Sequence, residues 1–177
     1  MRKNLFFWQF AGFVISTALG TLLHFLFVWT DLLALAPISA VNESTWEHMK
    51  ILFFPMLFFA VAQSFFAKDY ANFWQVKAVG ITVGITAIPV LFYTYGGAFG
   101  APPAWLNILF FFLSSALSYA VEFYLFRSGQ GQSKGRVVAI VFLSLLALLF
   151  VYYTFCPPAL PLFLDPLTST YGVFKLK

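Results

Sequence analysis

A chain of 177 residues that is 62% hydrophobic, 21% aromatic and only 9% charged is excluded from the ordinary soluble domains. Its length suits one compact helical domain with no appended soluble one. The net charge of +4 comes from basic residues scattered among loops, which excludes a nucleic-acid-binding face and points to membrane orientation.

The composition predicts an all-α integral membrane bundle of five transmembrane helices. Arg2 and Lys3 precede an apolar run over residues 5–28, which is too long for the core of a signal peptide. Ala34, Leu35 and Ala36 resemble a cleavage site, but Pro37 follows directly, so the run reads as an uncleaved first span. Further spans are predicted over residues 48–66, 76–95, 104–126 and 137–155, each near the ~20 residues that cross a ~30 Å hydrocarbon core. Helices are expected because backbone groups in lipid must be satisfied within the segment. Residues 156–177 form a proline-rich tail. With Cys156 as the only cysteine, no intrachain disulfide can form.

Orientation follows from the basic residues. One side receives Arg2, Lys3, Lys68, Lys77, Arg127, Lys134 and Arg136. The other receives Lys50, Lys175 and Lys177, with the acids Asp31, Glu43, Glu47 and Asp165. The N-terminus is therefore expected in the cytoplasm and the C-terminus outside. Trp8 and Trp74 then fall at inner ends, and Trp29, Trp46 and Trp105 at outer ends, as interface anchors should.

Two polar stripes cross the spans. Gly12, Ser16, Gly20 and His24 recur every four residues on the first helix, with Asp31 seven beyond, so they share a face that admits a close neighbour. Asn107, Ser114, Ser118 and Glu122 form the second stripe; Glu122 is a candidate coupling residue and is expected to face the bundle. Pro55 and Pro89 interrupt the second and third helices and free the carbonyls of Ile51 and Ile85. Gly80 and Gly84 add a packing signal of low specificity.

The stretch from Asn42 to Lys50 concentrates ionisable side chains in an otherwise apolar chain. Ser44 and Glu47 have the spacing of a capping box, with Glu47 expected to return a hydrogen bond to the cap. Capping leaves Glu43, Trp46 and His48 unexplained. His24, Glu43, Glu47, His48 and Asp165 make a nitrogen and oxygen donor set, although no familiar zinc spacing is present, so metal and cofactor stay unassigned. The candidate ligand-binding residues are His24, Asp31, Asn42, Glu43, Trp46, Glu47, His48 and Asp165. Of these, His24, Glu47, His48 and Asp165 are expected to converge on one outward-facing pocket beneath the tail. Pro157 and Pro158 end the last helix, and residues 160–164 are too apolar to leave the interface.

His24-Phe25, the run Val41-Asn42-Glu43-Ser44 with Trp46, Glu47, His48 and Lys50, and the tail's Pro157-Pro158, Leu162-Phe163, Asp165-Pro166 and Tyr171-Gly172 together resemble a family of small multi-pass membrane proteins of unknown function. The resemblance covers essentially the whole chain and implies a bacterial cytoplasmic membrane. It implies no activity. The expected partners are the lipid bilayer and a small-molecule or lipid ligand; further copies of the chain are an open alternative, and nucleic acid is excluded. Two functions stand side by side. One is a protein that binds or transports a small molecule or lipid, supported by the proline-broken helices and buried ionisable groups. The other is a membrane-embedded, metal- or acid–base-assisted hydrolase or transferase at the outer leaflet. A structural partner protein is the third alternative. A polar path reaching both faces would favour a carrier, and a closed outer pocket with convergent His and Glu an enzyme.

Overall fold

The computed structural model describes residues 4–68, 70–129 and 135–173. Five helices account for most of them: α1 (Leu5–Thr30), α2 (Thr45–Ser64), α3 (Phe73–Phe99), α4 (Ala104–Ser128) and α5 (Arg136–Phe155). Among the described residues there is no strand, and a single antiparallel bridge joins Leu164 to Tyr171. Two short 3-10 turns, Leu33–Leu35 and Pro161–Phe163, shape the loop after α1 and the tail.

Four helices, α1, α3, α4 and α5, are long and apolar enough to cross a membrane. The second segment, expected as an equal fifth span, has a different character. Glu47, His48 and Lys50 sit in its first two turns, and fourteen of its twenty residues are buried. Other helices shield those charges from lipid, so α2 is the hub of the bundle. α1 packs against α2 and α4, α3 packs against the same two, and α5 lies outside on α3 and α2. Leu52, Phe53 and Met56 of α2 fill the centre with Ile81 and Ile85 of α3, Phe111 of α4, and Leu143 and Phe150 of α5.

Small residues set the closest approaches. A Cβ on Gly12 would lie 2.5 Å from the Tyr119 ring and 2.6 Å from that of Phe59. One on Gly20 would lie 2.6 Å from the Phe111 ring and 2.8 Å from the Ile51 carbonyl oxygen. Pro55 leaves that carbonyl without its helical donor. The backbone of α1 therefore closes over this unspent acceptor of α2. Gly80 and Gly84 do the same for α3, meeting Glu122 and Ser118 of α4. The expected seam of small residues is thus present on both helices.

Connectivity brings the end of α1, the start of α2, the end of α3, the start of α4, the end of α5 and the tail to one end of the bundle. Phe163 packs against Trp46 and Tyr153 there, at ring distances of 4.8 and 5.3 Å. Trp46 is only 9% exposed and also packs on Phe150, so it is a core residue that seats the tail, not the interface anchor expected. Trp29 and Trp105, by contrast, are each 65% exposed at that end.

Candidate functional site

Three groups of ionisable side chains lie among the helices, and their geometry separates them. At the start of α2, Ser44 accepts the Glu47 backbone N–H at 3.4 Å, the first half of the capping box. The second half is replaced. The Ser44 N–H donates to Asn42 Oδ1 at 2.9 Å, which leaves the Glu47 carboxylate to accept from the Val41 N–H at 3.0 Å and from Lys50 Nζ at 2.5 Å. Lys50 gives its other two hydrogens to the Ala36 carbonyl at 2.9 Å and Thr154 Oγ1 at 2.8 Å. All three ammonium donors are used and the pair is buried, so Glu47 and Lys50 are a lock joining α2, the loop and α5.

The second group lies towards the opposite end. Lys77 of α3 pairs with Glu122 of α4 at 2.5 Å, with the two side chains 1% and 0% exposed. The Lys77 ammonium lies 5.4–5.7 Å from the ring centres of Tyr119, Phe59 and Phe73. Glu122 shares its buried face with Ser114 and Ser118, and Ser118 donates to the Gly80 carbonyl at 2.7 Å. Lys77, counted in sequence as a loop cation of the basic side, is instead a core residue. Lys50 on the other side is likewise internal. The basic asymmetry then rests on Lys68, Arg127 and Arg136, and on Arg2, Lys3, Lys134, Lys175 and Lys177, which lie outside the described residues.

The third group alone faces open space. His24 Nε2 lies 3.5 Å from Glu43 Oε1, and His48 Nε2 lies 3.6 Å from Glu43 Oε2. The two imidazole centres are 5.3 Å apart. One ligand atom from each residue falls within 4.8 Å of the other two. His48 Nδ1 meets the Ser44 carbonyl at 2.9 Å. A carbonyl only accepts, so this nitrogen carries the hydrogen and the free lone pair of a neutral His48 is on Nε2. His24 Nδ1 is buried without a partner among the described residues.

These three side chains form the polar end of a cavity of about 450 Å³. Gly20, Thr21 and Phe25 of α1, Ile88 and Phe92 of α3, and Asn107, Ile108 and Phe111 of α4 make its walls. Pro166 and Leu167 of the tail lie at its rim. Asn107 Oδ1 is buried in the wall and has no partner among the described residues. Thr21, Phe25, Ile108 and Phe112 are exposed on the outward faces of α1 and α4, so one flank of the cavity opens between those helices.

The arrangement differs from the expected convergence in two members. His24 and His48 meet, but their acid is Glu43 and not Glu47 or Asp165. Glu47 is consumed by Lys50 and Val41 as described. Asp165 organises the tail: its carboxylate accepts from the Leu167 N–H at 2.9 Å and the Thr168 hydroxyl at 2.7 Å. Asp31 ends α1 in a left-handed conformation, φ 48°, its N–H on the Phe27 carbonyl, and does not line the cavity. Asn42 holds the tail through Nδ2 on the Gly172 carbonyl at 2.9 Å. Lys50, Lys77 and Asn107 were absent from the sequence-based site. Lys77 shares a helical face with Gly80 and Gly84, and that spacing was the available signal for its burial.

The chain belongs to the family of unknown function DUF6512, whose model matches residues 2–173. No curated protein and no solved structure matches it.

Proposed function

We propose that this is a five-span membrane protein that binds an amphiphilic small molecule or lipid at its outer side, with the N-terminus in the cytoplasm. The cavity carries this reading. Its far end is polar, its walls are apolar, and its open flank lies between helices whose outward faces suit acyl chains. His24 lies six to seven residues past the middle of α1, hence ~10 Å from the midplane and close to the boundary of a ~30 Å core. A ligand with an apolar body and a polar end of one or two oxygens matches that gradient. Orientation rests on the basic bias, and a bacterial cytoplasmic membrane on the family resemblance.

Phe111 packed against Gly20 closes the cavity floor, and Ser16 below it is spent on the Tyr119 hydroxyl at 2.6 Å. That favours action at one end of the bundle over carriage across it. The convergence of two histidines and a carboxylate at the cavity's polar end supports the second reading, an enzyme working on an outer-leaflet amphiphile with these groups as its acid–base or electrophilic machinery. The test is native mass spectrometry and lipid extraction of protein purified in mild detergent. Wild-type protein should retain a defined amphiphile, and Thr21→Trp, which fills the cavity from its open flank, should lose it while unfolding at the same temperature as wild type stripped of its ligand. Equal retention by both proteins would refute binding in this cavity.

A further inference from the structure

We propose that His24, Glu43 and His48 form a three-residue site for a first-row divalent metal of the zinc class, with its open coordination position towards the cavity. The inference rests on the cavity being a ligand site, because the open position would otherwise serve no group.

The geometry is that of a cage waiting for a cation. Two donors on one tetrahedral ion with bonds of ~2.1 Å lie ~3.4 Å apart. The two histidine-to-carboxylate separations are 3.5 and 3.6 Å. These exceed hydrogen-bond length, yet the donor atoms face each other and all lie within 4.8 Å.

The hydrogen count sharpens the point. Because the Ser44 carbonyl holds the hydrogen of His48 on Nδ1, Nε2 of neutral His48 presents a lone pair to a carboxylate oxygen. Two lone pairs in opposition need positive charge between them, either a proton or a metal ion. A metal-bound histidine commonly donates its other N–H to a backbone carbonyl, which fixes the ring and raises its basicity. Ser44 supplies that carbonyl from the loop turn that Asn42 fastens. Two imidazoles and one carboxylate suit zinc and its neighbours, whereas calcium and magnesium favour sites built wholly of oxygen. Three protein ligands leave a fourth position, and the cavity supplies the space for water or a ligand oxygen there. Neither Glu47 nor Glu122 can compete, since each is spent on a buried lysine.

The test uses the full-length protein in detergent, stripped with a chelator and titrated calorimetrically with Zn2+, with metal content measured by mass spectrometry. One equivalent of Zn2+ per chain is expected, and Co2+ in its place should give the visible spectrum of a tetrahedral nitrogen and oxygen site. His24→Asn, His48→Asn and Glu43→Gln should each weaken Zn2+ binding by more than the ~10–100-fold typical of outer-sphere partners. Their metal-free unfolding should match that of metal-free wild type, which separates lost ligation from lost folding. Wild-type protein that takes up no stoichiometric Zn2+ or Co2+ overturns the site, as does unchanged affinity in all three variants. Thr21→Trp distinguishes the two proposals: it should lose the amphiphile and keep the metal. Metal binding without amphiphile retention in wild type would sink the ligand reading and leave the metal site standing.

Discussion

Removing one member of the Lys77 and Glu122 pair should be among the most damaging single changes in the chain. Both side chains are almost wholly excluded from solvent, at 1% and 0% exposure, so the pair gets no relief from water when broken. Lys77→Met leaves a buried carboxylate packed against Gly80 without its one cation partner among the described residues, and such a loss costs ~3–5 kcal/mol. Scaled at ~2–4 °C per kcal/mol, that is a fall of about 6–20 °C in apparent Tm. Glu122→Met should do less harm: it strands the ammonium, but the rings of Tyr119, Phe59 and Phe73 offset part of that cost. The double variant Lys77→Met/Glu122→Met has no charge to strand and similar volume, so it should recover most of the loss. The assay is a double-mutant cycle by thermal unfolding in one detergent, with each variant checked for monodispersity. Strictly additive losses would refute the reasoning, since they would mean that the two side chains do not act as a pair.

Gly20→Ala would place a methyl group 2.6 Å from the Phe111 ring and 2.8 Å from the Ile51 carbonyl, so overpacking should cost ~1–3 kcal/mol, measured as a lower Tm. Asn42→Ala removes the bond to Gly172 and the support of the Ser44 N–H, and should raise amide exchange across residues 163–172 while leaving α3 and α4 protected. For topology, on a Cys156→Ser background, Ser169→Cys should react with an impermeant thiol reagent in intact cells and Lys68→Cys should not; the reverse pattern would invert the proposed orientation.

The helices were legible because long apolar runs leave the backbone no other economical fold. The seam of Gly12, Ser16 and Gly20 was legible because a four-residue period on a helix means one face. What sequence spacing could not decide was which acid meets the histidines. Glu43 and Glu47 sit four residues apart on either side of the cap, and Glu47, the nearer to His48 in the chain, is the one that turns away from it. The choice is made by Asn42, which takes the Ser44 N–H and so frees Glu47 to turn towards Val41 and Lys50. That is a local competition for one hydrogen, invisible to hydropathy or charge counting. Lys50 and Lys77 were misplaced for a related reason: a lysine near a helix end reads as a loop cation until its buried partner is known. Glu47 and Lys50 at i and i+3 were a readable pair. Lys77 and Glu122, forty-five residues apart, were not.

The three groups also explain one another. Buried ion pairs seldom add net stability over apolar packing, but each ties its helices in one register. Lys50 ties α2 to the loop after α1 and to α5, and Lys77 ties α3 to α4. The cavity walls belong to α1, α3 and α4, and its polar end to α1 and the start of α2, so both locks bear on its shape. Glu43, 41% exposed beside two histidines, has no lysine partner among the described residues. A chain that pairs Glu47 and Glu122 so completely, yet leaves a third carboxylate facing two imidazole nitrogens, concentrates its unspent chemistry at that point. If the locks serve the cavity, Lys50→Met should change amphiphile retention as well as Tm, whereas a lock that serves stability alone would move only Tm.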